Sequence, residues 1–267
     1  MQTASSMQAQ LRDEFAALGV ESDVDILVHA SMRALGWIDG GPKTIIAALR
    51  DVLGPKPCIV VPTQTTHNST TSRVHAERIA GMSPAEIDAF RARMEAFDPV
   101  RTPSYGMGML AEHVRCHPES LRSSHPKTSF AALGRDAAQI VRDHPAHCHL
   151  GENSPLGALY ARGAQVLLLG VGYEKATAFH LAEYRLDQPV RSYQSKVLAA
   201  DGSASRWVEY EDIDLDDRDF ATLGAQMQAT QSWVSVGQVG AGRAVRFPLA
   251  EAVRYAERWM RENRPMR

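Results

Sequence analysis

The stretch Asp25–Val61, DILVHASMRALGWIDGGPKTIIAALRDVLGPKPCIVV, decides the fold. DILVH is an apolar run of strand length, and Ser31–Trp37 leaves it as a loop. Gly40-Gly41-Pro42 then opens a helix, because proline suits the first helical turn, where its missing N–H costs nothing. Ile45, Ile46, Leu49, Val52 and Leu53 give that helix one apolar face, and Gly54-Pro55 stops it. Cys58–Val61 is a second buried strand, closing at Pro62-Thr63. Strand, helix, strand in that order predicts a βαβ unit with parallel strands.

Upstream, Met7, Leu11, Phe15 and Leu18 recur at helical spacing, with Ser5 or Ser6 as cap and Gly19 as stop. Downstream, Thr65–Thr71 reads as a polar loop, and Ser83–Phe97 as a helix capped by Ser83 with Pro84 at its first position. Asp98–Gly108 is a long turn-rich loop, Met107–His117 a helix, and Arg122–Ala132 an exposed-looking RSSHP followed by a short strand. A third buried strand, Val166–Leu169, ends at Gly170 and Gly172. After Arg185 the pattern changes: Val190–Leu198 pairs with Ser205–Glu211 around Asp201-Gly202, and Trp233–Val239 with Arg243–Phe247. An amphipathic helix, Pro248–Asn263, follows. The expected fold is α/β: one domain over residues 1–267, a mixed sheet flanked by helices on both faces, with antiparallel hairpins in the C-terminal third.

Composition narrows the function classes. With 267 residues, 44% hydrophobic and 22% charged, the chain supports a full-sized core. A formal net charge of -2 argues against nucleic-acid binding, and no run of about 18 apolar residues suggests a membrane span. Cys58, Cys116 and Cys148 are odd in number and widely spaced, which points to free thiols in a reducing cytoplasm, and the N-terminus lacks the pattern of a secretory signal.

Three polar residues follow the third strand: Thr177, His180 and Glu183. Spaced by three, they share one helix face and enter the space beyond a strand end, where open α/β sheets place ligands. An imidazole one turn from a carboxylate is the base and orienter of acid–base chemistry, although a structural His–Glu pair has the same spacing. His29, at the end of the first strand, is the competing base or a structural histidine. The Gly40-Gly41 turn offers backbone N–H groups to a phosphate, but the chain has neither a GxGxxG nor a Walker loop. His144, His147, Cys148 and His149 match no common zinc spacing, and the histidines read as surface residues. The acidic run Glu211–Asp219 reads as a solvated face or a collar attracting a polycation.

Taken together, several of these segments resemble the aminoglycoside 3-N-acetyltransferase family, whose fold is its own and not that of the widespread acetyl-CoA N-acetyltransferase superfamily. They are VHASMRALGWIDGGP (28–42), IVVPTQT (59–65), FDPVRTPSYGMG (97–108), RSSHPKTSFAALG (122–134), LGENSPLG (150–157), LLLGVG (167–172) and TAFHLAEYR (177–185), with VGAGRAVRFP (239–248) extending the likeness. Thr66–Glu95 matches weakly.

The resemblance implies transfer of acetyl from acetyl-CoA to the 3-amino group of an aminoglycoside, conferring resistance. It needs no metal, and a homodimer is compatible with it. It places the family's catalytic motif on His180 and Glu183, with His29 and Thr177 beside them. It places cofactor contacts on Ser31, Met32, Arg33, Ala34, Leu35, Gly40, Gly41, Thr63, Ser104 and Met107. Asp98, Asp212 and Asp214 are the candidates for the cationic substrate. No activated nucleophile is visible, so direct transfer is expected, with His180 or His29 as base. The alternatives are the same fold and cofactor with another small amine, a metal-dependent hydrolase, and a non-catalytic binder.

Overall fold

A computed structural model describes residues 4–199, 202 and 204–264. Its centre is a seven-stranded mixed sheet in the order β3-β4-β2-β1-β5-β9-β8. The strands are β1 (Ile26–Ala30), β2 (Ile59–Pro62), β3 (Ser120–Arg122), β4 (Phe130–Leu133), β5 (Gln165–Leu169), β8 (Ser235–Val239) and β9 (Gly242–Pro248). β1 runs parallel to both β2 and β5, as the βαβ reading requires, and α2 (Pro42–Leu53) is the crossover. The outer strands β3, β4, β8 and β9 pair antiparallel. The remaining strands, β6 (Val190–Leu198) and β7 (Ser205–Ile213), form a separate two-stranded sheet. Asp201, assigned to their turn, lies outside the described residues.

The central strands are largely apolar because helices cover both faces of the sheet. Ile26, Val28, Ile59, Val61, Leu167 and Leu169 pack on one side against α1 (Ala4–Ala17), α2 and α5 (Met109–Arg115). Leu27, Val60, Val166, Leu168 and Phe247 pack on the other against α6 (Ala137–Val141), α7 (Pro155–Ala161), α8 (His180–Glu183), α9 (Phe220–Thr230) and α10 (Leu249–Asn263). Alternation along β1 therefore turns His29 to the face of Leu27, the side on which α8 lies.

Two helices occupy the segment of weak resemblance. α4 (Pro84–Arg93) begins as expected, with a reciprocal capping box between Ser83 and Glu86. α3 (Arg73–Ile79), capped by Ser72, stands where no helix was expected. RSSHP is only partly at the surface: Ser124 is exposed, but Ser123 and His125 are 1% and 0% exposed.

Candidate active site

The order of strand addition switches sides at β1, which has β2 on one side and β5 on the other. The C-terminal ends of these three parallel strands surround a cavity of about 580 Å³. Such a crevice is where sheets of this type take ligands. β1 contributes His29 and the following Ser31, Met32 and Arg33, and β2 contributes Pro62. The chain after β5 contributes Val171, Glu174, Lys175, Thr177 and His180. Gly106–Ala111, Asp217 and Phe220 complete much of the wall.

After Gly170 the chain passes through two single turns of 3-10 helix, Tyr173–Lys175 and Thr177–Phe179, and then into α8. This places Thr177 and His180 on the cavity wall with Glu183 behind them, fully buried. His180 donates its Nδ1–H to Oε2 of Glu183 at 2.6 Å. Oε1 of Glu183 accepts from Nη1 of Arg264 at 2.6 Å and from the Asp216 N–H at 3.1 Å. The ring of Phe220 lies 4.7 Å from that of His180. With Nδ1 committed, Nε2 is the nitrogen left for proton transfer.

His29 differs. It is 6% exposed, its Nε2 has no hydrogen-bond partner, and burial together with the Lys175 charge pushes its pKa down to about 3. It is a neutral imidazole on the cavity wall, suited to polarise a ligand and ill-suited to take a proton from an amine.

Of the cofactor candidates, Ser31, Met32, Arg33 and Met107 line the cavity. Ala34, Leu35, Gly40, Gly41, Thr63 and Ser104 are not among its lining residues. Leu35 is in the core, and the Gly41 N–H is taken by the Ile38 carbonyl. Thr63 is fully buried, its hydroxyl accepting from Arg122 at 3.1 Å. Ser104 instead donates its N–H to Glu112 at 2.8 Å.

The substrate carboxylates also sit elsewhere. Asp98 caps its own turn, accepting from the Val100 N–H at 2.8 Å. Asp214 pairs with Arg191 at 3.1 Å. Asp212 is not on a solvated face but 7% exposed, with Oδ2 accepting from His149 and Tyr184. Burial opposes its charge, yet the bonds from His149 and Tyr184 hold its pKa below the usual value. Within the acidic run, the residue that lines the cavity is Asp217, which spacing alone did not single out.

His144 and His149 are likewise buried rather than on the surface, at 3% and 1% exposure. Among the described residues, no three His, Cys, Asp or Glu side chains are placed to hold a metal ion. No thiol lines the cavity, and burial raises the pKa of Cys58 to about 11. Among the described residues, no helix is long and apolar enough to cross a membrane.

Known proteins are similar to this chain in sequence and fold. The aminoglycoside 3-N-acetyltransferase family matches residues 27–261. The SPbeta prophage-derived aminoglycoside N(3')-acetyltransferase-like protein YokD of Bacillus subtilis (strain 168) is 35% identical over 255 residues, covering 95% of this chain and 92% of that protein. Aminoglycoside N(3)-acetyltransferase VII of Streptomyces paromomycinus is 32% identical over 271 residues, covering 96% and 91%. A structure of AAC-IIIb in binary complex with CoASH superposes with a TM-score of 0.82 at 29% identity, covering 100% of this chain and 99% of that one. By sequence and by fold, the chain belongs to the aminoglycoside 3-N-acetyltransferase family of acyltransferases.

Proposed function

We propose that the protein transfers an acetyl group from acetyl-CoA to the 3-amino group of an aminoglycoside, in the cytoplasm, and so confers resistance. The observation that carries this reading is the His180–Glu183 pair, set in the cavity at the ends of the parallel strands with Nε2 of His180 left for chemistry. Family membership and the CoASH complex of a relative support the donor, and the names of the relatives support the acceptor.

In this reading the acceptor's neutral amine attacks the thioester carbon, and the thioester oxygen takes on negative charge. Nε2 of His180 accepts the amine proton while Glu183 keeps the ring in the required tautomer. The tetrahedral intermediate collapses with rupture of the carbon–sulfur bond, and the imidazolium gives its proton to the departing thiolate. His29 serves as a neutral N–H donor to the thioester oxygen, a role open to a buried imidazole that carries no charge. Ser31, Met32, Arg33 and Met107 hold the donor, Thr177 supports the reacting end, and Asp217 attracts an ammonium group of the acceptor. The transfer is direct, consistent with a cavity wall that carries no thiol.

The test is CoA release, read with a thiol reagent, against gentamicin-like, neomycin-like and apramycin-like acceptors. Release with at least one, and acetylation mapped to its 3-amino group, supports the reading. Release no faster than thioester hydrolysis with all three overturns it.

A further inference from the structure

We propose that Arg264, just past the end of α10, is a positioning residue that holds the catalytic carboxylate and the cavity's acidic loop in register. This rests on the reading of His180–Glu183 as the acid–base pair. Glu183 is 0% exposed, and Arg264 is the cation bonded to it. Nη1 of Arg264 donates to Oε1 of Glu183 at 2.6 Å. Nε and Nη2 form a fork on Asp219 at 2.7 and 2.6 Å, and Nη2 also donates to the Asp216 carbonyl at 2.7 Å.

One guanidinium thus joins three pieces of chain distant in sequence: α8, the loop between β7 and α9, and the end of α10. Burial works against its charge, yet the bonds to Asp219 and Glu183 raise its pKa above the ordinary value. The clamped loop carries Asp217 into the cavity and leads into Phe220, whose ring lies beside His180. The clamp therefore fixes two things that touch the imidazole, the carboxylate behind Nδ1 and the ring at its side. Without the cation, a buried carboxylate is left unpaired and turns from its place behind Nδ1, which loosens His180. A lysine cannot replace the clamp, because one ammonium cannot reproduce the planar fork.

The experiment compares Arg264→Ala, Arg264→Lys and Arg261→Ala with the wild type. Arg261, one turn earlier on α10, pairs with Glu257 and serves as the control. Arg264→Ala is expected to lower kcat by about 10–100-fold, part of what a positioned base is worth, with KM for both substrates changed by less than about threefold. Guanidinium ion added to the assay restores much of the loss, Arg264→Lys stays impaired, and Arg261→Ala keeps wild-type kcat.

An independent readout is the downfield imidazole N–H proton of His180 in NMR spectra, assigned by its absence in His180→Ala. It should vanish in Arg264→Ala and return with guanidinium. Unchanged kcat and an unchanged resonance in Arg264→Ala overturn the proposal, as does a loss that guanidinium restores in neither readout. If the wild-type protein acetylates nothing, the functional reading fails while the resonance still decides the positioning role.

Discussion

His149 and Asp212 are joined twice through one oxygen: the backbone N–H and the Nδ1–H of His149 both donate to Oδ2 of Asp212 at 2.6 Å. The Tyr184 hydroxyl donates to the same oxygen at 2.6 Å. A carboxylate so occupied ties the 144–150 loop to β7 and to the residue after Glu183. Its Oδ2 is already committed to three donors within the protein.

Asp212→Asn should therefore act on stability and not on substrate capture. An amide at this position cannot accept from all these donors, and leaving buried donors unsatisfied costs about 1–3 kcal/mol. Urea unfolding should show that loss with the aminoglycoside KM little changed. A raised KM with unchanged stability would return Asp212 to the substrate site.

Asp217→Asn is the converse case. Asp217 lines the cavity and is exposed, so the expected effect is a rise in acceptor KM of about 2–5-fold, on the scale of one exposed ion pair, with stability near wild type. Steady-state kinetics at two salt concentrations checks it, since added salt should narrow the gap between the two proteins.

His180→Ala should lower turnover by about 10²–10⁴, the usual worth of a positioned acid–base group. CoA binding measured by calorimetry should persist. His29→Gln should reduce kcat less and keep the acidic limb of the pH–rate profile, because His29, with a pKa near 3, is not the group that titrates there. Loss of that limb in His29→Gln and its survival in His180→Ala would exchange the two roles.

Acid should unfold the protein earlier than its carboxylates alone require. Burial lowers the pKa of His29 to about 3 and of His144 to about 4, and lowers those of His125 and His149 as well. An unfolded histidine titrates near 6.5, so below that pH the unfolded chain binds more protons than the folded one. The stability due to these neutral imidazoles is complete above pH 6.5 and is lost as pH falls toward the folded values. The urea midpoint should decline between about pH 6.5 and 4. A midpoint that rises on acidification over that range would mean the imidazoles are charged when folded.

Gly170→Ala tests the turn behind the cofactor candidates. Gly170 has φ 64°, and a Cβ there would lie 2.6 Å from Cβ of Ala34 and 3.2 Å from the Ser31 carbonyl oxygen. The left-handed backbone alone costs an alanine about 1–2 kcal/mol. Relief of the contact would displace the Ser31–Leu35 turn, so the acetyl-CoA KM should rise several-fold and more than kcat falls. Kinetics with the acceptor held saturating separates the two.

The central strands and the acid–base pair were legible because their signals are local. Ile26–Ala30, Ile59–Pro62 and Gln165–Leu169 are buried on both faces and so read as apolar runs, and His180 and Glu183 lie one turn apart. What escaped depends on partners far along the chain. RSSHP looks like surface, yet Ser123 lies 2.8 Å from Nδ1 of His144, and His125 faces the Ala146 carbonyl at 3.0 Å. α3 buries only His75 and so offers no apolar stripe to read. Arg264 resembles any arginine beyond the end of a helix, and its bond to Glu183 spans 81 positions. Asp212 and Asp217 belong to one acidic run, and only the fold sends one inward to His149 and the other to the cavity.

The segment 66–97 is held less by the central sheet than by the β6–β7 ribbon. Ser69 bridges Ser195 and Phe97 bridges Val197, while Lys196 donates its Nζ to the carbonyls of Ala92 and Met94. These fastenings use backbone groups and the side chains of Ser69, Thr70, Thr71 and Lys196, and none uses a side chain of α3 or α4. The segment can exchange its outward residues while the strand ends that carry His29 and His180 keep their spacing. The acid–base pair and this segment are thus mounted on separate frames.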